Sequence, residues 1–413
     1  MTPTALPTFN VSVKWAAGAD NDGWAIGSSA LPVQLGEPDD GSQYEDVNSD
    51  VRSITVRRGR SRELELYQAG SAAIVLDNLS RAYDPLNLDG PHVDGGGTQV
   101  KPGRRIRVSA THPDTLIEYQ LFAGVVRDWV SGYVHGFDAT TTAQASDALT
   151  DLNGIIISID TSAGASGVAA AEVLGAAGIS RIDVDAGVAS LQATSFTSAS
   201  ALAVMQSVTL SEQGALYANK SGVVQFDDRH AILKEARSNT SQFSFGTGNL
   251  PVLSISLDYS SDLIKNAVTV ARTGGSPQTT TDSASIMAYG TRSLNLSGMM
   301  LSTDAQALET AAFVVNAYSE PAVRVRQITV APQTHADLLT AVLSLELRDR
   351  VTVTFQPPGG GGVISQEVFV EGVQHNVTPH DQMKTTLTFS STATSFGWSL
   401  GTSALGTSSV LSF

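Results

Sequence analysis

The sequence predicts a mainly β protein with a few helices, and three observations carry that reading. Apolar residues alternate with polar or small ones in short runs along most of the chain, glycine-, proline- and aspartate-rich turns separate the runs, and only three stretches carry a helical period. With 413 residues the chain is longer than the ~250–300 residues one hydrophobic core ordinarily serves, so it is expected to divide into domains.

The strand runs come in order. Ile54 and Val56, Leu64 and Leu66, then Ala72, Ile74 and Leu76 repeat with period two, as do Ile106 and Val108, Val268 and Val270, Val323 and Val325, and "VTVTF" at 351–355. "DNDG" at 20–23 has the chemistry of a hairpin turn, whereas "DGPHVDGGG" at 89–97 and "PPGGGG" at 357–362 are too glycine-rich for any element interior. The helical stretches are 167–179, 198–214 and 302–321; the third starts with Ser302 and Thr303 as N-cap candidates and ends at Pro321. The expected organisation is strands over 1–150, a mixed α/β segment over 151–235, and strands again over 236–395 with one helix near 303–319. A Ser/Gly/Thr-rich C-terminal arm follows at 396–413. No tandem repeat appears, although the two strand-rich segments share a loose plan.

Composition removes several function classes. Hydrophobic residues are 42% of the chain and charged residues 16%, which suits a folded protein and not a disordered one. Lys plus Arg number 25 against 40 Asp plus Glu, a net charge of −15, the opposite of what tight phosphate binding along a surface needs. There is no cysteine, hence no disulfide, thiolate metal site or cysteine nucleophile. The N-terminus "MTPTALPTFNVSVKW" lacks a basic region followed by an apolar run, and no stretch reaches ~18 apolar residues, so synthesis in a cytoplasm without membrane insertion is expected.

Motifs that carry chemistry are scarce. None of the histidines His92, His112, His135, His230, His335, His375 and His380 forms an i, i+4 pair, and the closest two, His375 and His380, flank a turn-like "NVTP". "ADNDG" resembles the start of a calcium loop but lacks the downstream glutamate. Nucleophile-elbow, phosphate-loop and dinucleotide signatures are missing, and the adjacent Asp227 and Asp228 would face opposite sides of a strand. No catalytic residue, metal ligand or cofactor is assigned.

One feature resists the acidic composition. "VRSITVRRGRSRELEL" places Arg52, Arg57, Arg58, Arg60 and Arg62 within eleven residues. Gly59 breaks the strand there, and a bulge or hairpin at 58–61 would let the arginines pair with Glu63, Glu65 or carboxylates of a neighbouring copy; nucleic-acid contact is the alternative.

The run "RRGRSRELELYQAGSAAIVLDNLSRAYDP", then "VKPGRRIRV" and "YQLFAGVVRDW", resembles the start of minor tail proteins of long-tailed bacteriophages, particularly those of actinobacteria. The matching positions are Arg58, Gly59, Arg60, Ala69, Gly70, Leu76, Asp77, Asn78, Pro85, Pro102, Gly103, Phe122 and Gly124. "SEQGALYANKSGVVQFDDR" with Gly214, Gly222, Phe226 and Arg229, "IKNAVTVAR" with Asn266, and "YGTRSL" with Tyr289 and Gly290 extend the likeness over most of the chain.

The resemblance implies a tail-tip or baseplate hub. Such a hub is a homotrimeric ring with two tail-tube-like β-barrel domains per chain, within 1–150 and 236–395, and a helix-bearing domain between them. Its implied partners are a distal tail protein or tail tube above, fibres, spikes or other minor tail proteins below, a tape measure protein in the lumen, and DNA only in transit. Arg57, Arg58, Arg60 and Arg62 would then be subunit-interface residues, and Gly59, Gly70, Asp77, Asn78, Pro85, Gly124, Arg229 and Asn266 structural ones. An acidic lumen would repel the phosphates that pass through it. A hexameric distal tail protein, another tail-tip adaptor and an unrelated soluble enzyme are the alternatives.

Overall fold

Strands from both ends of the chain meet in one sheet. The computed structural model describes residues 6–15, 44–134, 136–378 and 382–392; the "DNDG" turn, His135, His380 and the C-terminal arm lie outside them. The first segment supplies β1 (Thr8–Lys14), β2 (Glu45–Asp46), β3 (Val51–Gly59), β4 (Gln68–Asp77), the short pair β5 (Val93–Asp94) and β6 (Gly97–Thr98), β7 (Arg105–Thr111), β8 (Glu118–Val134) and β9 (Asp138–Ser146). The middle holds α1 (Ala148–Gly154), β10 (Ile156–Thr161), β11 (Gly164–Ala165), α2 (Ser166–Ala176), β12 (Ile182–Val184), β13 (Ser190–Leu191), β14 (Thr194–Ser200), α3 (Ala201–Glu212), β15 (Ala215–Ala218) and β16 (Val224–Asp227). Then come α4 (Ala231–Lys234), α5 (Ala236–Asn239), β17 (Ser244–Gly246), β18 (Ser254–Asp258), β19 (Ala267–Arg272), β20 (Gln278–Thr281), α6 (Ser283–Tyr289), β21 (Ser293–Met299) and α7 (Asp304–Tyr318). The last elements are β22 (Arg324–Val330), α8 (Ala336–Ser344), β23 (Arg350–Phe355), β24 (Ile364–Thr378) and β25 (Gln382–Ser391).

The main sheet has 13 strands, ordered β18-β22-β25-β24-β3-β4-β9-β8-β7-β1-β2, with β23 beside β24 and β17 beside β23. The join is β3 against β24, antiparallel, with His375 opposite Val56 and Gly372 opposite Gly59. β24 is long because it serves two neighbours in turn: residues 364–369 pair with β23 and 372–377 with β3. Period-two alternation then sets the interior. Ile54 and Val56 of β3, Ile74 and Leu76 of β4, and Val108 and Ile106 of β7 all point into one core, which also takes Val351, Val370, Leu387 and the buried face of α8.

A second core lies among α1, α2, α3, β15, β16, β19, β21 and α7, with Val173, Val204, Val208, Phe226, Val268, Ala311 and Val314 in it. The boundary expected at 236 therefore does not divide the cores. Residues 267–318 fold with the middle segment because Val268 and Val270 present an apolar face of β19 that α7 covers. The N-terminus of α7 is fixed by Thr303, whose hydroxyl accepts from Gln306 N while the Gln306 side chain returns to the Thr303 amide. One strand expectation fails: the run Leu64 and Leu66 lies in the turn between β3 and β4, with Leu64 at φ 69°.

Candidate functional site

The arginine run lies at the seam between the two cores, and its geometry follows from β3. The alternation that turns Ile54 and Val56 inward continues to residue 58, so Arg58 is 3% exposed while Arg57 faces solvent. A register shift between Arg57 and Gly59 ends the strand, the bulge expected there. At Gly59, φ is +96° and an added Cβ would sit 2.1 Å from the Glu371 carbonyl oxygen, so only glycine fits.

The arginines do find carboxylates, but distant ones in the same chain. Arg58 Nη1 donates to Glu346 Oε1 at 2.5 Å, and Glu346 Oε2 accepts from Lys220 N at 3.1 Å. Arg60 grips Glu371 with two bonds, Nε to Oε2 at 2.9 Å and Nη2 to Oε1 at 2.8 Å, and its third nitrogen donates to the Glu65 carbonyl. Glu371, 4% exposed, also accepts from the Tyr67 hydroxyl and from Ser390 Oγ. Arg57 donates to Ser61, and Arg62 makes a long, exposed pair with Asp262. Of the expected partners, Glu63 faces Arg324 and accepts from the Tyr318 hydroxyl. Arg58 and Arg60 thus each have a carboxylate partner within the chain, although Arg58 Nε is buried without a hydrogen-bond partner among the described residues.

Burial and charge oppose each other at these acids. Desolvation pushes Glu371 and Glu346 up, but Arg60 and Arg58, by charge and hydrogen bond, hold both below the usual glutamate range. At Asp227 burial outweighs the Arg348 partner at 2.9 Å, and the carboxyl lies above its usual range. Asp185, Asp227 and Glu235 bring carboxylates together. Arg348 already supplies positive charge to Asp227, and Asp185 accepts from the Asp228 amide.

The other positions singled out in the sequence hold the backbone. Asn78 is buried, donating to Thr141 Oγ1 and accepting from Tyr83 N; Asp77 accepts from Arg52 and from Leu79 N. Pro85 lies in a series of turns in which the amides of Arg81, Asp84, Asn87 and Gly90 each donate three residues back. Gly70 donates to Asp147 Oδ2 at 2.6 Å and leaves no room for a side chain there; burial pushes Asp147 up to about 7 against that bond and the Leu149 amide. At Gly124 a Cβ would meet Ser146 O at 2.4 Å. Arg229 donates through its amide and Nε to Glu212, a fully buried acid that also takes Ser166 Oγ and the amides of Val188 and Ala189. Asn266 donates to Ser285 and Gly290 and accepts from Arg292 N.

Beside this seam lies a cavity of about 530 Å³. Its wall is mostly apolar, with Leu64, Leu66, Leu210, Ile232, Leu296 and Phe313, and Arg60, Glu371 and Arg229 form polar parts of it. No local pattern marks the cavity, since its wall draws on stretches far apart in the chain, from Arg60 to Ser390. His375, named above for its spacing, is buried with Nδ1 against Thr385 Oγ1, and burial lowers its pKa to about 3. Among the described residues no helix is long and apolar enough to cross a membrane.

The arrangement of sheet and helical body is similar in fold to solved phage tail proteins. A tail protein from Neisseria meningitidis MC58 superposes with a TM-score of 0.57 over 93% of this chain and 96% of its own, at 11% identity. A 43 kDa tail protein of prophage MuSo2 from Shewanella oneidensis gives 0.57 over 86% of this chain and 97% of its own, at 14% identity. No protein-family model matches the sequence, and no curated protein matches it. The likeness is one of fold.

Proposed function

We propose that this chain is a structural protein of a phage tail tip, a baseplate hub without enzymatic activity. In this reading three copies close into a ring that ends the tail tube, joins it to the host-recognition apparatus and lets DNA pass. The observation that carries it is the likeness of fold, over most of this chain, to two tail proteins.

The sheet supports the same reading. Among the described residues its path is open, with β18 at one end and β2 at the other, and such edge strands suit head-to-tail contacts that close a ring. Two tube-like modules per chain, built on the two strand-rich segments, would let three copies meet a sixfold tube. The partners are a distal tail protein or tail tube above, fibre, spike or minor tail proteins below, and a tape measure protein inside. Of the clustered arginines, the exposed Arg57 and Arg62 remain for contacts between copies. The net charge of −15 keeps passing DNA from adhering.

Copy number in the particle tests the reading. Cryo-electron microscopy of tails containing this chain should show three copies at the tip, closed in a ring. Six copies would transfer the assignment to a distal tail protein, and absence from the particle would remove it.

A further inference from the structure

The chain carries an apolar hollow at one end of β4 and an apolar knob at the other. The hollow is the cavity of about 530 Å³ beside the seam. Leu66, Leu210, Ile232, Leu294, Leu296 and Phe313 line it, all half-buried, and Leu64 and Leu233 in the same wall are 40% and 38% exposed. Lys and Arg balance Asp and Glu in the wall, five of each, so it holds no net charge to draw an ion in place of an apolar group. His230, also in the wall, has Nε2 buried without a hydrogen-bond partner among the described residues, a group that the backbone of an entering turn can serve.

The knob is the tip of the β8–β9 hairpin. Val130 and Val134 share one face of β8 and are 50% and 61% exposed, and Phe137, whose amide donates to the Val134 carbonyl, is 86% exposed. Leu79, 62% exposed, follows Asn78, whose amide donates to the Ala139 carbonyl. Large apolar side chains gathered at one hairpin end mark a contact with another molecule.

β4 separates the two. The turn before it supplies Arg60 and residues 62–66 to the cavity wall, and its last residue, Asp77, pairs with Thr140 beside the tip. The 10 residues of β4 span about 30 Å when extended, so the tip does not reach the cavity of its own chain. Complementary patches at opposite ends of one strand make a head-to-tail contact, which repeats from copy to copy and closes a ring where the rotation allows.

We propose that Val134 and Phe137 of one copy seat in the cavity of the next, so that a second copy of this chain is its occupant. The contact rests on the ring reading above and names the two surfaces that close the ring.

The natural lack of cysteine gives a direct test. A full-length chain carrying Phe137→Cys and Leu296→Cys is treated with a short bismaleimide, both in assembled tails and as concentrated purified protein. The separation within one chain prevents internal linkage, so two- and three-chain species on a denaturing gel should exceed those from either single variant at least tenfold. Leu233→Cys in the same wall replaces Leu296→Cys if the latter does not fold. Linkage no greater than that of the single variants in both preparations would overturn the contact; three copies at the tip of those same tails would meanwhile keep the ring reading. Equal linkage by Phe137→Cys alone would also overturn it, since the tips would then meet each other. Tenfold linkage in tails holding six copies would keep the contact and transfer the ring to a distal tail protein.

Discussion

Replacing Arg60 by methionine isolates the best-defined element of the seam. The substitution keeps an unbranched apolar stem but removes two charge-assisted bonds to Glu371 and, among the described residues, the only cation hydrogen-bonded to it. Tyr67 and Ser390 still donate, so the acid is not fully abandoned, but it becomes a buried carboxylate without a countercharge. Breaking such a pair costs about 3–5 kcal/mol, and the loss of the guanidinium over the Tyr67 ring, 4.8 Å from its centroid, adds to it. The pH dependence carries the diagnosis. With Arg60 present, the folded pKa of Glu371 lies below its usual value; its stabilising contribution is full above the usual glutamate range and is lost as pH falls through the depressed value. Without Arg60, burial alone raises the folded pKa, so the penalty is largest at neutral pH and shrinks as the acid takes a proton. Guanidinium unfolding followed by circular dichroism at pH 7 and pH 4.5 measures both. Adding Glu371→Gln to the variant should recover most of the loss at pH 7, because a neutral amide needs no cation. A penalty under ~1 kcal/mol, or one equal at the two pH values with no recovery in the double variant, would refute the account of Glu371 as a carboxylate held by Arg60.

Further outcomes can be read by the same unfolding measurements. Gly59→Ala puts a methyl group against the Glu371 carbonyl at φ +96° and should lower stability by at least ~2 kcal/mol. Thr303→Ala removes one half of the box that starts α7 and should lower it by about 1 kcal/mol, with Thr303→Ser close to neutral. His375 stays neutral in the fold down to about pH 3, whereas in the unfolded chain it protonates near 6.5. Stability is thus lost as pH falls through that window, and between pH 6.5 and 4.5 the natural protein should lose about 2–3 kcal/mol more than His375→Gln.

The parts of the fold that were legible in the sequence are those governed by neighbours along the chain. Period two revealed β3, β4, β7, β19 and β23, and the N-cap candidates Ser302 and Thr303 marked the start of α7. Gly59 announced a break where the register does shift. Leu64 and Leu66 misled because their alternation arises in a turn, where Leu64 adopts a positive φ that no pattern records. α8 escaped because His335 caps it, a residue outside the usual N-cap set, and α6 is only seven residues long. Arg58 is the instructive case: extending the Ile54, Val56 alternation by one step places it inside, and a buried guanidinium requires an acid. What the sequence could not supply was which acid, since Glu346 is 288 residues away and local spacing says nothing at that range.

That separation has a consequence for synthesis. Arg60 and Glu371 are 311 residues apart, and β3 has no partner on its Glu371 side until β24 exists. At ~5–20 residues per second, a ribosome takes about 15–60 s to span that interval. Throughout it the nascent chain holds an unpaired strand edge with a cation destined for the interior, next to apolar side chains whose cover is still untranslated. The high sequence separation of these contacts also slows closure once translation ends, because distant segments must meet before any bond rewards them. The join between the two halves of the sheet therefore cannot form before β24 has been synthesised, and until then the edge of β3 is exposed to pairing with other chains.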